Sequence, residues 1–338
     1  MNSANVCVVG CGYWGKNLIR SFSGLQSLYA VCDLDKDRAH LLAKSYPEAV
    51  CFETYEAVLA DSAVNAVVLA TPAERHYDMA LAALRAGKDV FVEKPLALEW
   101  QDGIEMVETA RERGRILMVG HLLHYHPAII RLKQLIDTGV LGRIEYIYSN
   151  RLSMGKIRRE ENALWSFAPH DISVILSLVG HLPLQVTATG GAYLQPNIAD
   201  VTVSHLLFDH GTRAHIFVSW LHPYKEQRLV VIGSKQMAVF EDSRPDHKLM
   251  LFNKQIAMKD GAFEATKTEG VVVDFDMTEP LLAECRHFVE CVQQGSRART
   301  PGEEGVRVLQ VLQACQRSLQ LNGEPVQVRQ ALHKVMAL

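Results

Sequence analysis

The stretch Val6-Cys7-Val8-Val9-Gly10-Cys11-Gly12-Tyr13-Trp14-Gly15 decides the fold. Four apolar residues in succession read as a strand buried on both faces. The strand runs directly into a G-x-G-x-x-G turn, and a helical pattern follows. That glycine spacing is weak on its own, because glycines are common. Placed between a buried strand and a helix, it is a strong dinucleotide signal. Gly10 permits the tight turn, Gly12 lets the main chain approach a pyrophosphate, and Gly15 lets the helix pack close to the strand. The helix N-terminus then offers free N–H groups and a positive dipole end to phosphate. The same pattern puts Tyr13 and Trp14 at the cofactor.

Working outward, apolar runs recur at 28–32, 66–70, 90–92 and 116–119. Helix-like segments at 75–86 and 99–113 lie between them, with Gly87 and Gly114 as C-terminal stops. Buried strands alternating with helices make a parallel sheet covered on both faces. The first domain, 1–122, is therefore read as a doubly wound Rossmann-type α/β domain. From residue 143 the rhythm changes. Strand patterns at 143–152, 184–192, 201–208, 213–220, 228–232 and 237–240 follow one another mostly without helices. Asp209-His210-Gly211-Thr212 joins two of them as a hairpin. The second domain, 123–338, is read as α+β with a large, open, mostly antiparallel sheet. Two helices close the chain, with room to pack back on the first domain. Thr300-Pro301-Gly302-Glu303 reads as a capping box with Pro at the first helical position. Val308, Leu309, Leu312, Cys315 and Leu319 follow as its apolar stripe.

The 338 residues are too many for one ordinary domain. At 48% hydrophobic and 22% charged, the chain can build a large core. A net charge of -3 excludes a general attraction to nucleic acid or to an anionic membrane surface. No apolar run reaches the roughly 18 residues of a membrane span, and the N-terminus lacks the pattern of a signal peptide. The 7 cysteines are odd in number and include no C-x-x-C pair, which fits reduced thiols in a cytoplasmic protein.

Asp33 ends the second strand. A carboxylate there accepts hydrogen bonds from the adenosine ribose and repels a 2′-phosphate, so NAD is favoured over NADP. The alternative is that Asp33 only caps the turn before Leu34-Asp35-Lys36-Asp37.

Two further blocks carry chemistry. One is Thr71-Pro72-Ala73-Glu74-Arg75-His76. The other is Ala86-Gly87-Lys88-Asp89-Val90-Phe91-Val92-Glu93-Lys94-Pro95. Together they resemble the glucose–fructose oxidoreductase / inositol dehydrogenase / MocA (Gfo/Idh/MocA) family of sugar dehydrogenases, which carries T-P-x3-H and then A-G-K-x-V-x-V-E-K-P. The resemblance extends over nearly the whole chain. It implies that Thr71, Pro72, His76, Glu93 and Lys94 lie at the cofactor, that Lys94 is catalytic, and that Lys94-Pro95 is a cis bond. Chemistry supports the same choice. Lys94 ends a parallel strand, where open α/β sheets bind ligands, and a lysine beside a cationic nicotinamide has its pKa lowered. The alternative is a solvated surface lysine.

A third block, Leu164-Trp165-Ser166-Phe167-Ala168-Pro169-His170-Asp171-Ile172, resembles the family's D-x-x-x-H segment on a helix facing the nicotinamide. His170 matches the proton-accepting histidine. Imidazole suits that work near neutral pH. The alternative is a structural hydrogen bond near a helix start. Ser166 stands where many members carry aspartate, which speaks against inositol as substrate.

The preceding stretch, 149–162, is basic and polar. Arg151, Lys156 and Arg158 are candidates to bind a diphosphate, with Asn162, Trp165 and Ser166 completing the sugar site; a solvated basic loop is the alternative. Read together, 149–171 resembles the branch of the family that oxidises the C3 hydroxyl of UDP-N-acetylglucosamine. That branch works beside an aminotransferase in lipid A (lipopolysaccharide) amino-sugar synthesis. The cluster His121, His124, Tyr125 and His126 invites a metal reading but lacks H-E-x-x-H, so substrate contact is preferred and no metal is expected. The open sheet and the family's habit imply a homotetramer. Two rivals remain. One is another sugar, inositol or ketosugar oxidoreductase of the same family. The other is a dinucleotide sensor that has lost its chemistry.

Overall fold

The computed structural model describes residues 4–244, 246–266 and 268–328. They form two compact units. The first comprises the described residues up to 125 and 278–309, the second 126–277 and the described residues from 310 onward.

In the first unit β1 (Val6–Val9), β2 (Leu28–Cys32), β3 (Val50–Phe52), β4 (Ala66–Leu69), β5 (Asp89–Glu93) and β6 (Leu117–Gly120) form a six-stranded sheet in the order β3-β2-β1-β4-β5-β6. Each neighbouring pair is parallel. Helices α1 (Gly15–Gly24), α2 (Lys36–Ala43), α3 (Tyr55–Ala60), α4 (His76–Arg85) and α5 (Trp100–Glu112) connect the strands. Every residue of β1, β4 and β6 is buried, as sheets covered on both faces require. Strand order reverses between β1 and β4, so the loops after these strands open a crevice at their carboxyl ends. β3 is short and only partly buried; it comes from the apolar run 49–52, which is not among the strands read above.

The second unit begins with α6 (Pro127–Asp137) and β7 (Ile144–Leu152), followed by α7 (Ala163–Val179). Then come β8 (Gln185–Gly191), β9 (Val201–Leu207), β10 (Arg213–Ser219), β11 (Glu226–Gly233), β12 (Gln236–Glu241), β13 (Leu249–Asn253), β14 (Gln255–Lys259), β15 (Ala262–Thr266) and β16 (Val271–Val272). The last elements among the described residues are α8 (Pro280–Gln294), α9 (Gly302–Gln320) and β17 (Val326–Gln327). A nine-stranded sheet has the order β16-β13-β12-β11-β7-β10-β9-β8-β17. It is antiparallel except where β7 meets β10. The expected 209–212 turn joins β9 to β10. β14 and β15 pair through the two-residue turn Asp260-Gly261, both at positive φ, which is the backbone an Asp-Gly hairpin turn needs. The Thr300 hydroxyl does not serve α9. It donates to the Val119 carbonyl at 2.8 Å and ties residue 300 to the edge of β6.

Alternation along β7 and β10 sets the faces of the large sheet. Ile147, Ser149, Ala214, Ile216 and Val218 are buried on the side that carries α7. The other side presents Tyr146, Tyr148, His205 and His215, with Tyr148 and His215 stacked at 5.4 Å.

Candidate active site

The glycine turn separates into two structural glycines and one open one. Gly10 has φ +97°, and a Cβ there would meet the Ala70 carbonyl oxygen at 2.5 Å. A Cβ on Gly15 would lie 1.8 Å from the Gly10 carbonyl oxygen. Both positions are closed to any side chain. A Cβ on Gly12 would meet nothing within 4 Å. That open space lies where a pyrophosphate needs close approach to the backbone. In the loop after β4, which meets the turn at Gly10, the buried Thr71 hydroxyl has no hydrogen-bond partner among the described residues. Open space and an unsatisfied hydroxyl at the β1/β4 crevice are what a dinucleotide would fill, so the residues fit NAD.

Asp33 anchors the same turn. Its Oδ2 accepts from the Cys11 amide at 2.6 Å, and its Oδ1 accepts from the Asp35 amide at 2.8 Å. The turn-capping reading is therefore realised. A carboxylate has about four acceptor sites, so these bonds leave capacity for ribose hydroxyls. Tyr13 is exposed, while Trp14 turns inward and donates its indole N–H to Glu93 Oε1 at 2.5 Å. A residue of the glycine turn thus holds a residue of the E-K-P block.

The Lys94-Pro95 bond is cis. The Lys94 amide donates to its neighbour's carboxylate, Glu93 Oε2, at 3.3 Å. His76 is buried, with Nδ1 2.7 Å from the Pro95 carbonyl and Nε2 3.0 Å from the Thr71 carbonyl. It lies between the loop after β4 and the loop after β5. Burial lowers its pKa, so the ring is neutral, and its one N–H serves only one of the two carbonyls. Pro72, at the start of that loop, is exposed. Glu93 is half-buried, and burial pushes its carboxyl up to about 7 against the opposing pull of Trp14 and Lys94.

The histidine cluster has a partner that sequence spacing does not reveal. His121, 1% exposed, bonds Glu304 through Nδ1, and His124 Nε2 lies 3.6 Å from the same carboxylate. Tyr125 belongs to the core of the first unit, with its hydroxyl 3.2 Å from Thr300 Oγ1 and Arg299 over its ring. In the second unit His126 pairs with Asp242. Among the described residues, no group of three His, Cys, Asp or Glu side chains is arranged to hold a metal ion.

In the second unit Asn162 caps α7, its Oδ1 accepting from the Trp165 amide at 3.2 Å. The Asn162 amide and the Trp165 indole both donate to Gln316 Oε1, at 2.8 and 3.1 Å. Gln316 thus fixes the helix start, and it sits in a polar stretch of α9 that gives no sequence signal. Ser166 is buried and His170, one turn on, is half-buried. Asp171 is buried and turned to the sheet. It accepts from Arg151 at 2.7 and 3.2 Å and from the Ser149 hydroxyl. This clamp sets the rotation of α7 and so the position of His170.

Arg151 is therefore already engaged. Its fork grips a carboxylate that is 4% exposed. Arg158 pairs with Glu161 at 2.9 Å, and Lys156 is exposed. Breaking a buried pair leaves an uncompensated charge, so Arg151→Ala should lower stability by about 2–3 kcal/mol. A denaturant midpoint equal to that of the unaltered protein would show that the pair does not hold α7.

A glycine-turn dinucleotide crevice on a parallel sheet, joined to an open α+β sheet unit, defines a two-unit oxidoreductase architecture. Residues 4–121 match the oxidoreductase family with an NAD-binding Rossmann fold, and residues 129–239 match the GFO/IDH/MocA C-terminal domain. The chain belongs to the Gfo/Idh/MocA oxidoreductase family. UDP-N-acetylglucosamine 3-dehydrogenase of Acidithiobacillus ferrooxidans is 28% identical over 89% of this chain and 93% of its own length. A structure of that enzyme superposes with a TM-score of 0.84 at 24% identity, covering 94% of this chain and 97% of the other, and so shares the fold. A 2,7-anhydro-N-acetylneuraminate hydratase of Mediterraneibacter gnavus is 32% identical over 56% of this chain, a match that spans only 53% of the hydratase. The family accounts for the glycine turn, the E-K-P block and NAD as cofactor.

Proposed function

We propose that the chain is an NAD-dependent dehydrogenase that oxidises a sugar hydroxyl, with the C3 hydroxyl of UDP-N-acetylglucosamine as its substrate. The single observation that carries the dehydrogenase reading is the Trp14–Glu93 bond, which ties the glycine turn to the cis Lys94-Pro95 end of β5. It supports the reading that Lys94 lies beside the crevice that a nicotinamide would enter. The substrate reading is supported by the resemblance of 149–171 to the nucleotide-sugar branch and by a relative of that activity aligned along most of both chains.

The chain's own residues would divide the work. His170 takes the proton from the sugar hydroxyl. Lys94 holds that oxygen and stabilises its developing negative charge. NAD, when bound, supplies the hydride acceptor. Asp33 and the amides after Gly12 hold the nucleotide end. Lys156 and Arg158 meet the substrate diphosphate, while Arg151 keeps α7 in place. The half-exposed aromatic face of the large sheet pairs with further copies to form a homotetramer. The protein works in the cytoplasm, and an aminotransferase consumes the ketone.

Incubation with NAD and UDP-N-acetylglucosamine should produce NADH absorbance and a 3-keto nucleotide sugar by mass spectrometry. Absence of both, with turnover on a free sugar or inositol, would remove the nucleotide-sugar assignment. Tight NAD binding without turnover on any sugar would favour the sensor.

A further inference from the structure

Phe91 and Glu93 share one face of β5, because alternate strand residues do. A Cβ on Gly120 of β6 would lie 2.9 Å from Glu93 Oε2 and 3.0 Å from the Phe91 ring, so both side chains cross that glycine. Helix α8 covers this face, with Phe288 packed on Phe91 at a centroid distance of 5.6 Å. One turn back along the same side of α8 stands Glu284. It is 1% exposed, and neither of its carboxyl oxygens has a hydrogen-bond partner among the described residues. The strand register and the helix register therefore bring Glu284 beneath the half-buried Glu93.

A bare carboxylate in so dry a place is not sustainable, so Glu284 carries a proton. Burial, and then the negative charge of Glu93, hold it well above the usual carboxylate range. Around Glu93, Lys94 and His121 favour the anion, as does the Trp14 N–H. Around Glu284 the other titratable groups are Tyr125 and Cys285. Burial pushes both of them up, so they stay neutral. The charge on either carboxyl opposes a charge on the other, and the more deeply buried Glu284 is the one that keeps its proton.

We propose that Glu93 and Glu284 form a one-charge carboxyl pair that senses the charge of the nicotinamide, so that oxidised cofactor binds with release of a proton and reduced cofactor binds without one. The inference rests on the reading that Glu93 lies beside the nicotinamide. A positive ring favours the Glu93 carboxylate, so a proton leaves Glu93 for solvent as NAD⁺ binds. A neutral reduced ring leaves that proton in place. Glu284 stays protonated throughout and keeps a second charge out of the pocket. The sign follows. Below pH 7 the Glu93 proton must be expelled for NAD⁺ to bind well, whereas above it the carboxylate is ready. If the ring lowers Glu93 by about one unit, NAD⁺ affinity rises about fivefold from pH 6 to 8, while NADH affinity stays flat.

Calorimetry of the full chain with NAD⁺ and with NADH, at pH 7 in two buffers of different ionisation enthalpy, counts the protons. About 0.4 proton should be released with NAD⁺ and none with NADH. Glu93→Gln should bind NAD⁺ without release. Infrared spectra should show a protonated carboxyl band that persists at pH 8 and is missing in Glu284→Gln. That variant replaces a neutral acid by its neutral isostere and should keep the NAD⁺-linked release. Equal release with both cofactors, release that survives Glu93→Gln, or no such band would overturn the inference alone. Failure to bind either cofactor would overturn the dehydrogenase reading with it.

Discussion

His170→Ala should lower kcat by about 10²–10⁴-fold, the usual worth of a positioned general base. His170 is half-buried, one turn after Ser166 on α7. The helix around it is held from two sides. Gln316 binds its first turn through Asn162 and Trp165, and Arg151 and Ser149 grip Asp171 next to the histidine. These bonds hold α7 through Asn162, Trp165 and Asp171, so the fold should survive removal of the imidazole. The variant should bind NAD as before and melt within a few degrees of the parent. Its pH profile carries the sharper information. A general base must be unprotonated to act, so at saturating NAD kcat/KM for the sugar should rise with pH on the acid side in the parent and lose that limb in the variant. A variant that keeps both its turnover and its acid limb would leave His170 a structural residue, and another group would have to take the proton.

The sequence is most legible where one local pattern states the physics. Val6–Val9 followed by Gly10, Gly12 and Gly15 can only be a buried strand entering a phosphate-binding turn, and the parallel sheet follows from repeats of that rhythm. The large sheet shows through its alternation from 144 to 241. What local pattern cannot state is which partner a side chain finds. Arg151 reads as part of a basic run. Yet it lies two residues from Ser149 and four from Ile147, on the strand face that meets α7, and its charge is spent on Asp171. His121 and His124 read as neighbours of one another, whereas Glu304, far along the chain, is what they face. Glu284 interrupts an apolar helix and resembles any surface acid until α8 is seen to pack against β5. That Thr278–Leu309 packs with the first unit is likewise a non-local fact. β13 to β16 escape notice for a different reason. Ile256, Met258 and Phe263 are exposed apolar residues, so the inside-to-outside alternation that marks a strand is blurred there.

Two alanines in the glycine turn should part stability from cofactor binding. In Gly15→Ala the new methyl would sit 1.8 Å from the Gly10 carbonyl oxygen, which is backbone and has no rotamer to escape into. Either α1 moves away from β1 or the turn opens. Both disturb a core that includes Val8, Leu18, Ile19 and Phe22. Overpacking of this kind costs about 1–3 kcal/mol where side chains can yield, and a backbone obstacle puts Gly15→Ala at or beyond the upper end. Expression should fall, and the denaturation midpoint should drop with it. Gly12→Ala meets nothing within 4 Å, so the free protein should unfold at an unchanged midpoint. The methyl instead occupies the approach of the pyrophosphate. If that crowding also costs about 1–3 kcal/mol, NAD binding weakens by about 5–150-fold. Titration of tryptophan fluorescence with NAD, beside urea melts of both variants, tests the contrast. The contrast is the informative part. If both alanines destabilise the free protein equally, the space above Gly12 is not open. If Gly12→Ala binds NAD normally, the cofactor does not cross the turn there.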